Sequence, residues 1–219
     1  MLGRLGNRPY DGDEQTYTSQ DRMAVRIHQD RIYSHKTLRI NYTTYDLQRD
    51  QDLVTLGTHP DVMVLAQEDD DESDHHPYWY ARVIRIFTVR YRYYDPNERP
   101  GYSPLLEQMH IIWVRWFGRD FNYPSGWSNR RPNLVGFFPA SEDGDEPFGF
   151  LDPALIVRGV HMIPAYYHGT TTEILPHSVA RNRSKPSQGR ARGKSYARPE
   201  EPVDPVDKDE DYCLYYVNW

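Results

Sequence analysis

Apolar and polar side chains alternate over several short stretches of this chain, which is the pattern of β-strands with one buried face. Leu38–Tyr45 alternates in this way and predicts a half-buried strand. Asp61–Ala66, introduced by a His-Pro pair, predicts a second. Shorter apolar runs predict three further strands, at Leu134–Phe138, Gly159–Pro164 and Tyr212–Trp219.

The strongest signal is a pair of long aromatic and β-branched runs, Tyr78–Tyr91 and Met109–Phe117. Apolar side chains fall on both faces of the first run, which is typical of a central strand. A connection rich in Pro and Gly, residues 95–104, separates the two runs. We therefore expect them to pair as antiparallel neighbours at the centre of a sheet.

One short helix is expected after Asp152, which can cap a helix that begins with Pro153, and a single helical turn is expected within residues 21–28. The predicted fold class is mainly β: a small twisted β-barrel or sheet with one short helix and long disordered segments. The high aromatic content, 14%, suits strands better than helices.

Composition divides the chain. The mean hydropathy is low, −0.84, so we expect part of the chain not to pack. Residues 1–32 are predicted to be a flexible arm and residues 33–168 a β-rich barrel domain. Residues 169–211 are predicted to be a disordered insertion, basic and then acidic. Residues 212–219 are predicted to return to the sheet as a strand, in a chain truncated relative to longer relatives.

The net charge of −6 argues against a global attraction to nucleic acid. The single cysteine, Cys213, excludes an internal disulfide and fits a reducing compartment. The N-terminus lacks the apolar run of a secretory signal, and every apolar stretch is too short to span a bilayer. These features predict an intracellular protein without membrane contact.

Motifs for catalysis are absent from the sequence, so we expect no enzyme, no catalytic residues and no cofactor. The spacing of Asp46, Asp120 and Asp152 does not support a metal-dependent nuclease. Residues 68–76 are acidic and end in two histidines, but a solvated loop explains them better than a metal site does. No metal site is predicted.

Two groups of residues remain as candidate binding sites. Surplus aromatic side chains could form a cage for a methylated ammonium group, or they could simply be core. The cage candidates are Trp79, Tyr80, Trp116 and Trp127. Basic residues in the insertion could contact nucleic acid, or they could belong to a linker neutralised by the acidic stretch after them. These residues are Arg181, Arg183, Lys185, Arg190, Arg192, Lys194 and Arg198.

The order of the strand motifs resembles the opening of a bromo-adjacent homology (BAH) domain. Three motifs carry the resemblance across residues 61–119: D-V-M-V-L, A-R-V-I-R-I-F, and V-R-W-F followed by Arg119. BAH domains are chromatin modules built on a twisted β-barrel, and some read nucleosomes or methylated histone tails. The resemblance implies a BAH-like or SH3-like barrel.

Much of residues 33–219 also resembles a family of proteins from mushroom-forming (basidiomycete) fungi, often encoded near or within transposable elements. The segments YWYARVIRIF, WVRWFGRD, GFLDPALIVRGVHMIPAY and LYYVNW carry this resemblance. Together the two resemblances imply a non-enzymatic chromatin- or protein-binding module in the nucleus, with a protein partner such as a histone tail. The alternatives are an accessory or remnant domain of a transposon-encoded protein that contacts DNA weakly through residues 181–198, or a purely structural domain.

Overall fold

The structure is a computed structural model that describes residues 18–66, 76–95, 103–126, 129–139, 147–175, 180 and 210–218. Contacts divide the chain into two compact units. The first unit contains the described parts of Met1–His35 and Phe87–Ile111. The second unit contains the described parts of Lys36–Ile86 and Ile112–Trp219. Strands dominate both, which confirms the predicted mainly β class.

The strands are β1 (Val25–His35), β2 (Thr37–Thr43), β3 (Arg49–Thr55), β4 (Asp61–Leu65), β5 (Tyr78–Tyr93), β6 (Glu107–Arg119), β7 (Leu134–Phe137), β8 (Phe148–Leu151), β9 (Ile156–Gly159), β10 (His161–Pro164), β11 (Thr170–Thr171), β12 (Asp211–Tyr212) and β13 (Tyr215–Asn218). The helices are α1 (Ser19–Ala24) and two single 3-10 turns, Pro153–Leu155 and Tyr166–His168. Every strand predicted from the hydrophobic pattern is present. The first 3-10 turn is the predicted short helix, and the Asp152 carboxylate caps it by accepting from the Ala154 N–H at 3.0 Å.

The first unit begins with α1, which starts at a reciprocal cap between Thr18 and Asp21. The Asp21 N–H donates to Thr18 Oγ1 at 3.2 Å, and the Thr18 N–H donates to the Asp21 carboxylate at 3.0 Å. β1 follows and pairs with β5. Gln29 and Asp30 interrupt β1 with left-handed φ angles of 57° and 51°, the backbone sign that a tight hairpin turn requires at its two central residues.

This region corrects the flexible arm predicted for residues 1–32. Residues 19–32 form α1 and most of β1, whereas residues 1–17 lie outside the described part of the chain. Nearly all side chains of β1 are exposed, so the strand carries no apolar alternation. Pairing with β5 holds it instead, assisted by Arg26 over the Tyr94 ring at 4.8 Å.

The second unit is a nearly closed, antiparallel, barrel-like sheet. Its strands follow the order β10-β13-β7-β6-β5-β4-β9, and β8 also pairs with β6. The predicted neighbours β5 and β6 therefore lie side by side at its centre. The two ends of the path, β9 and β10, are consecutive in the chain and joined by Val160 alone. The Val160 N–H donates to the Asp61 carbonyl at 2.9 Å, which ties this joint to β4.

Two apolar clusters lie on opposite faces of this sheet, because successive side chains on a strand point to opposite sides. The interior cluster contains Met63, Tyr80, Phe117, Val135, Phe137, Val160, Met162, Tyr215 and Val217. The outer cluster packs the β2–β3 hairpin against β4, β5, β6, β8 and β9, and contains Ile40, Val54, Val62, Val64, Ala81, Val83, Ile86, Ile112, Val114, Leu151 and Ile156. Burial on both faces explains the continuous apolar run of β5.

The C-terminal segment returns to the sheet, with β13 between β7 and β10. The disordered insertion predicted for residues 169–211 is too long, because its two ends pair with each other. Thr170 pairs with Tyr212, and Thr171 pairs with Asp211. Residues 176–179 and 181–209 of that insertion lie outside the described residues.

Candidate functional site

Two of the predicted cage residues, Trp79 and Trp116, lie together in the second unit. Their ring centroids are 6.2 Å apart, and their planes meet at 78°. Trp79 is 39% exposed, whereas Trp116 is half-buried and packs against the outer apolar cluster. The pair therefore combines a fixed ring and a solvent-accessible ring.

Glycines seat the rings on this face of the sheet. A Cβ atom on Gly149 would lie 2.6 Å from Trp116 Nε1, and one on Gly118 would lie 2.8 Å from Phe138 Cε1. Gly118 follows Trp116 by two residues on β6 and so shares its face. We call Trp79, Trp116 and Phe138 the aromatic surface. Phe138, 43% exposed, was missed from the sequence, although glycines within strands signal such close approaches.

Tyr80 does not belong to the aromatic surface, which corrects its place among the cage candidates. As the residue after Trp79 on β5, it points to the opposite face, and it is only 2% exposed. Its hydroxyl lies 2.9 Å from His76 Nε2 and 3.4 Å from Asn133 Nδ2. Burial raises the pKa of Tyr80 to about 12. Tyr80 is thus a hydrogen-bonded core residue.

The remaining sequence-based candidates lie outside the described residues. They are Trp127 of the cage set and the basic residues Arg181, Arg183, Lys185, Arg190, Arg192, Lys194 and Arg198. Their roles in ligand binding and in nucleic-acid contact stay predictions.

The interior of the barrel holds two arginines that the sequence analysis did not single out. Arg82 donates to both carboxylate oxygens of Asp61, at 2.7 and 3.0 Å. Arg115 donates to Asp211 at 2.9 Å. Burial disfavours the charged form of Arg82, but the Asp61 carboxylate outweighs this effect and raises the pKa of the guanidinium above its ordinary value. Each cation therefore faces an anion in the core.

Aromatic rings complete the environment of these arginines. Phe117 and Phe137 stack with centroids 4.2 Å apart, and Tyr215 meets both rings edge-on. The Arg115 guanidinium carbon lies 3.7 Å from the Phe137 centroid, and that of Arg82 lies 5.0 Å from it. Cation–π contacts of this kind stabilise a desolvated guanidinium. The arrangement is a buried structural network rather than an accessible binding site.

An open cleft of about 580 Å³ lies along the β2–β3 hairpin, lined by residues 41–43 and 49–51. Beside it, Arg158 stacks 4.1 Å over the Tyr42 ring and donates to Asp52 at 3.3 Å. None of the predicted site residues that the structure describes lines this cleft. The contacts of Arg158 join the β2–β3 hairpin to β9.

Groups for metal binding do not converge in the described part of the chain. No set of three or more His, Cys, Asp or Glu side chains there is placed to hold a metal ion. Cys213 is half-buried and lies between β12 and β13.

None of the helices within the described ranges has both the length and the apolar character needed to cross a bilayer.

Comparison with known proteins gives no relative from which a function could be transferred. No protein-family model matches the chain, and neither the curated proteins nor the solved structures provide a match. The aromatic surface therefore has to be interpreted from its own chemistry.

Proposed function

We propose that this protein is a non-enzymatic binding module that recognises a methylated lysine of a protein partner on the aromatic surface. The observation that carries the proposal is the corner formed by Trp79 and Trp116, whose planes meet at 78°. A quaternary ammonium group seated in such a corner contacts a π face and a second ring at once. Each contact of this kind stabilises by roughly 0.5–2 kcal/mol, depending on desolvation.

Three features support this use of the pair rather than a purely structural one. Trp79 keeps a substantial exposed fraction although half of the side chains of its strand are buried. Trp116 is fixed by the outer apolar cluster and by its seat on Gly149, so little ordering is needed when a ligand arrives. Phe138 extends the apolar area on the same face and offers a contact for residues that flank a methylated lysine.

Within this proposal the partner is a histone tail, and the protein acts on chromatin in the nucleus. The support is the resemblance of the β4, β5 and β6 motifs to the opening of a BAH domain, combined with an aromatic corner on that same group of strands. An enzyme is not proposed, because the aromatic surface contains no nucleophile and no acid–base pair.

The test is a fluorescence titration of the full chain with histone-tail peptides that carry unmodified or trimethylated lysine. We expect at least one trimethylated peptide to bind at least about tenfold more tightly than its unmodified form, the ratio that 1.4 kcal/mol supplies. A neutral analogue, with carbon in place of the ammonium nitrogen, should lose that advantage, because only a cation is attracted to the π face.

Three variants make the assignment specific. Trp79→Leu should abolish the preference for trimethyl-lysine, whereas Trp79→Phe should retain part of it. Phe150→Leu is the matched control, because Phe150 is an exposed ring (74%) in β8 that points away from the Gly149 side. The proposal fails if no methylated histone peptide binds, or if Trp79→Leu binds as tightly as the unaltered chain.

A further inference from the structure

Residues 210–218 form a segment of the second unit that is distant in sequence from the strands it pairs with. β13 lies between β7 and β10 and completes the path of the sheet. In the sequence, residues 176–209 separate this segment from the rest of the unit. On its N-terminal side the segment is therefore connected to the rest of the second unit by a long stretch of chain.

Residues 210–218 lie in a groove between β7 and β10, and backbone pairing holds the segment on both sides. Tyr215 and Tyr216 pair with Val135 and Leu134 of β7. On the other side, the ladder with β10 runs from Pro164, opposite Tyr215, to His161, opposite Asn218. Two more backbone bonds precede the strand: Cys213 N–H to Gly169 O at 3.1 Å, and Ala165 N–H to Leu214 O at 2.9 Å. This is the geometry by which sheets bind extended peptides.

Side chains give the groove its specificity. The segment places one carboxylate and two apolar side chains inside the barrel, at Asp211, Tyr215 and Val217. Asp211 meets Arg115, whose side chain is only 3% exposed. Tyr215 meets the Phe117 and Phe137 rings, with centroids 5.6 and 5.7 Å away, and Val217 belongs to the interior cluster. Tyr212 also packs against the interior cluster, so the pattern that the groove reads is acidic-aromatic-x-x-aromatic-x-aliphatic.

A glycine on the groove wall admits the segment. A Cβ atom on Gly136 would lie 2.9 Å from the Cys213 carbonyl oxygen and 3.1 Å from Leu214 Cδ2. The wall is thus shaped for the close approach of this backbone, and one methyl group would obstruct it.

From these contacts we infer that residues 210–218 are a displaceable strand, and that the groove accepts the same segment from a second copy of this chain. An identical sequence supplies the same carboxylate, the same two buried side chains and the same ladders. The tethered segment has the advantage of an effective concentration that a free peptide lacks. Exchange in trans therefore becomes measurable when that tether is cut.

The experiment uses the full chain with a specific protease site inserted between Gly189 and Arg190. After cleavage, a fluorescent peptide of residues 208–219 is added as the segment of the second copy, and its binding is followed by polarisation and native mass spectrometry. We expect the cleaved protein to keep its β-sheet circular dichroism and to exchange its own fragment for the labelled peptide. Uncut protein should bind the peptide at least about tenfold more weakly, because the tethered segment competes.

Peptide and groove variants test the assigned pattern. Peptides with Asp211→Asn or Tyr215→Ala should each compete at least tenfold more weakly than the native sequence, and Asn218→Ala, at the exposed end of β13, should compete nearly as well. In the cleaved protein, Gly136→Ala should weaken peptide binding at least tenfold. Gly57→Ala is the control, because a Cβ atom there meets nothing within 4 Å.

Three outcomes would overturn the inference. The segment is a permanent part of the core if the cleaved protein stays folded but never exchanges its fragment. It is also inseparable if cleavage alone abolishes the sheet signal. Equal competition by the native and Asp211→Asn peptides would refute the recognition of the carboxylate by Arg115.

Discussion

Single glycines decide where the rings of the aromatic surface lie. Trp116 rests on Gly149 so closely that an added Cβ atom would stand 2.6 Å from the indole nitrogen. Because Trp116 also packs against the outer cluster, its ring has little room to move aside. The position of the exposed Trp79 ring depends on Trp116 in turn, since the two are in edge-to-face contact.

Gly149→Ala should therefore displace the Trp116 indole and disrupt the corner. We expect a loss of about 1–3 kcal/mol in the free energy of unfolding, the range of overpacked positions. Trimethyl-lysine binding should fall at least about tenfold if the proposed function is right. Urea unfolding and peptide titration measure the two effects. Gly57→Ala should change neither, and an unaltered Gly149→Ala protein would contradict the role given to the glycine.

Tyr80 makes the free energy of unfolding depend on pH in the alkaline range. Its pKa is about 12 in the folded protein, above the ordinary value of 10.0, because burial favours the neutral phenol. The folded state thus holds this proton more tightly than the unfolded state does. The stabilisation is fully present below pH 10 and is lost as the pH rises towards 12, by up to about 1.4 kcal/mol for each pH unit.

Tyr80→Phe should remove this part of the pH dependence. Urea unfolding between pH 9 and pH 12 would show a shallower decline for the variant than for the unaltered chain. At neutral pH the variant should lose about 1 kcal/mol with the hydroxyl hydrogen bonds to His76 and Asn133. Parallel pH profiles for both proteins would contradict the assignment.

The sequence allowed a partial prediction of which residues form the aromatic surface. A surplus of rings singled out Trp79 and Trp116, but it also singled out Tyr80, because the count does not tell which face of β5 is covered. β-strand alternation alone places Trp79 and Tyr80 on opposite sides, and only the packing of β7, β10 and β13 shows which side is the barrel interior. Phe138 depends on Gly118 across the sheet, a long-range contact without a local pattern.

Among the elements, β12 contributes a charge on which the interior network depends. Asp211, in β12, faces Arg115 at 2.9 Å with both side chains largely buried. Removing one partner of a buried pair leaves the other charge in a poorly solvating environment.

Asp211→Ala should therefore lower the free energy of unfolding by about 3–5 kcal/mol. Asp52→Ala serves for comparison, because Asp52 pairs with Arg158, whose side chain is 38% exposed. The comparison variant should lose only about 1–2 kcal/mol, from a partly solvated ion pair and a backbone hydrogen bond. Chemical denaturation of both variants gives the difference, and equal losses would argue against a special role for the buried pair.

The strands differ in how well their own sequences predict them. β2, β5 and β6 follow the period or composition of their burial, so local pattern predicts them. β1 has almost no buried side chain, and β8 is a four-residue strand with Gly149 at its centre. Such strands form because a neighbouring strand offers unpaired backbone groups. The residues that determine them therefore lie in the neighbour rather than in the strand itself.

For the whole molecule, the two units differ in the apolar residues that stabilise them. The second unit contains both large clusters, whereas the described part of the first has few buried apolar residues: Ala24, Val89, Tyr91 and Met109. Opening of a region is easier where fewer apolar contacts must be broken.

Amide hydrogen exchange should therefore separate the units. We expect amides of β1 to exchange roughly 100-fold or more faster than those of β4 and β7, because each 1.4 kcal/mol of opening free energy changes the rate tenfold. Mass spectrometry of peptides covering residues 25–35, 61–65 and 134–137 gives the comparison. Equal protection in all three would mean that the chain opens as one cooperative body.

The fold class could be predicted from the chain, but the path of the sheet could not. Pairing β5 with β6 joins two runs separated by one short connection, which local reasoning handles well. Placing β13 between β7 and β10 requires contacts across most of the sequence. Side-chain pattern predicts that this segment is a strand and does not say which strands it will meet.

The one-residue joint at Val160 has a consequence for solutions of this protein at high concentration. On either side of this joint, the path of the barrel-like sheet ends in a strand of only four residues, β9 or β10. Edge strands this short expose few unpaired backbone N–H and C=O groups with which another molecule could pair to form a fibril. Concentrated samples should accordingly resist amyloid-type assembly through this part of the molecule, and loss of that resistance would be an early sign that the barrel has opened.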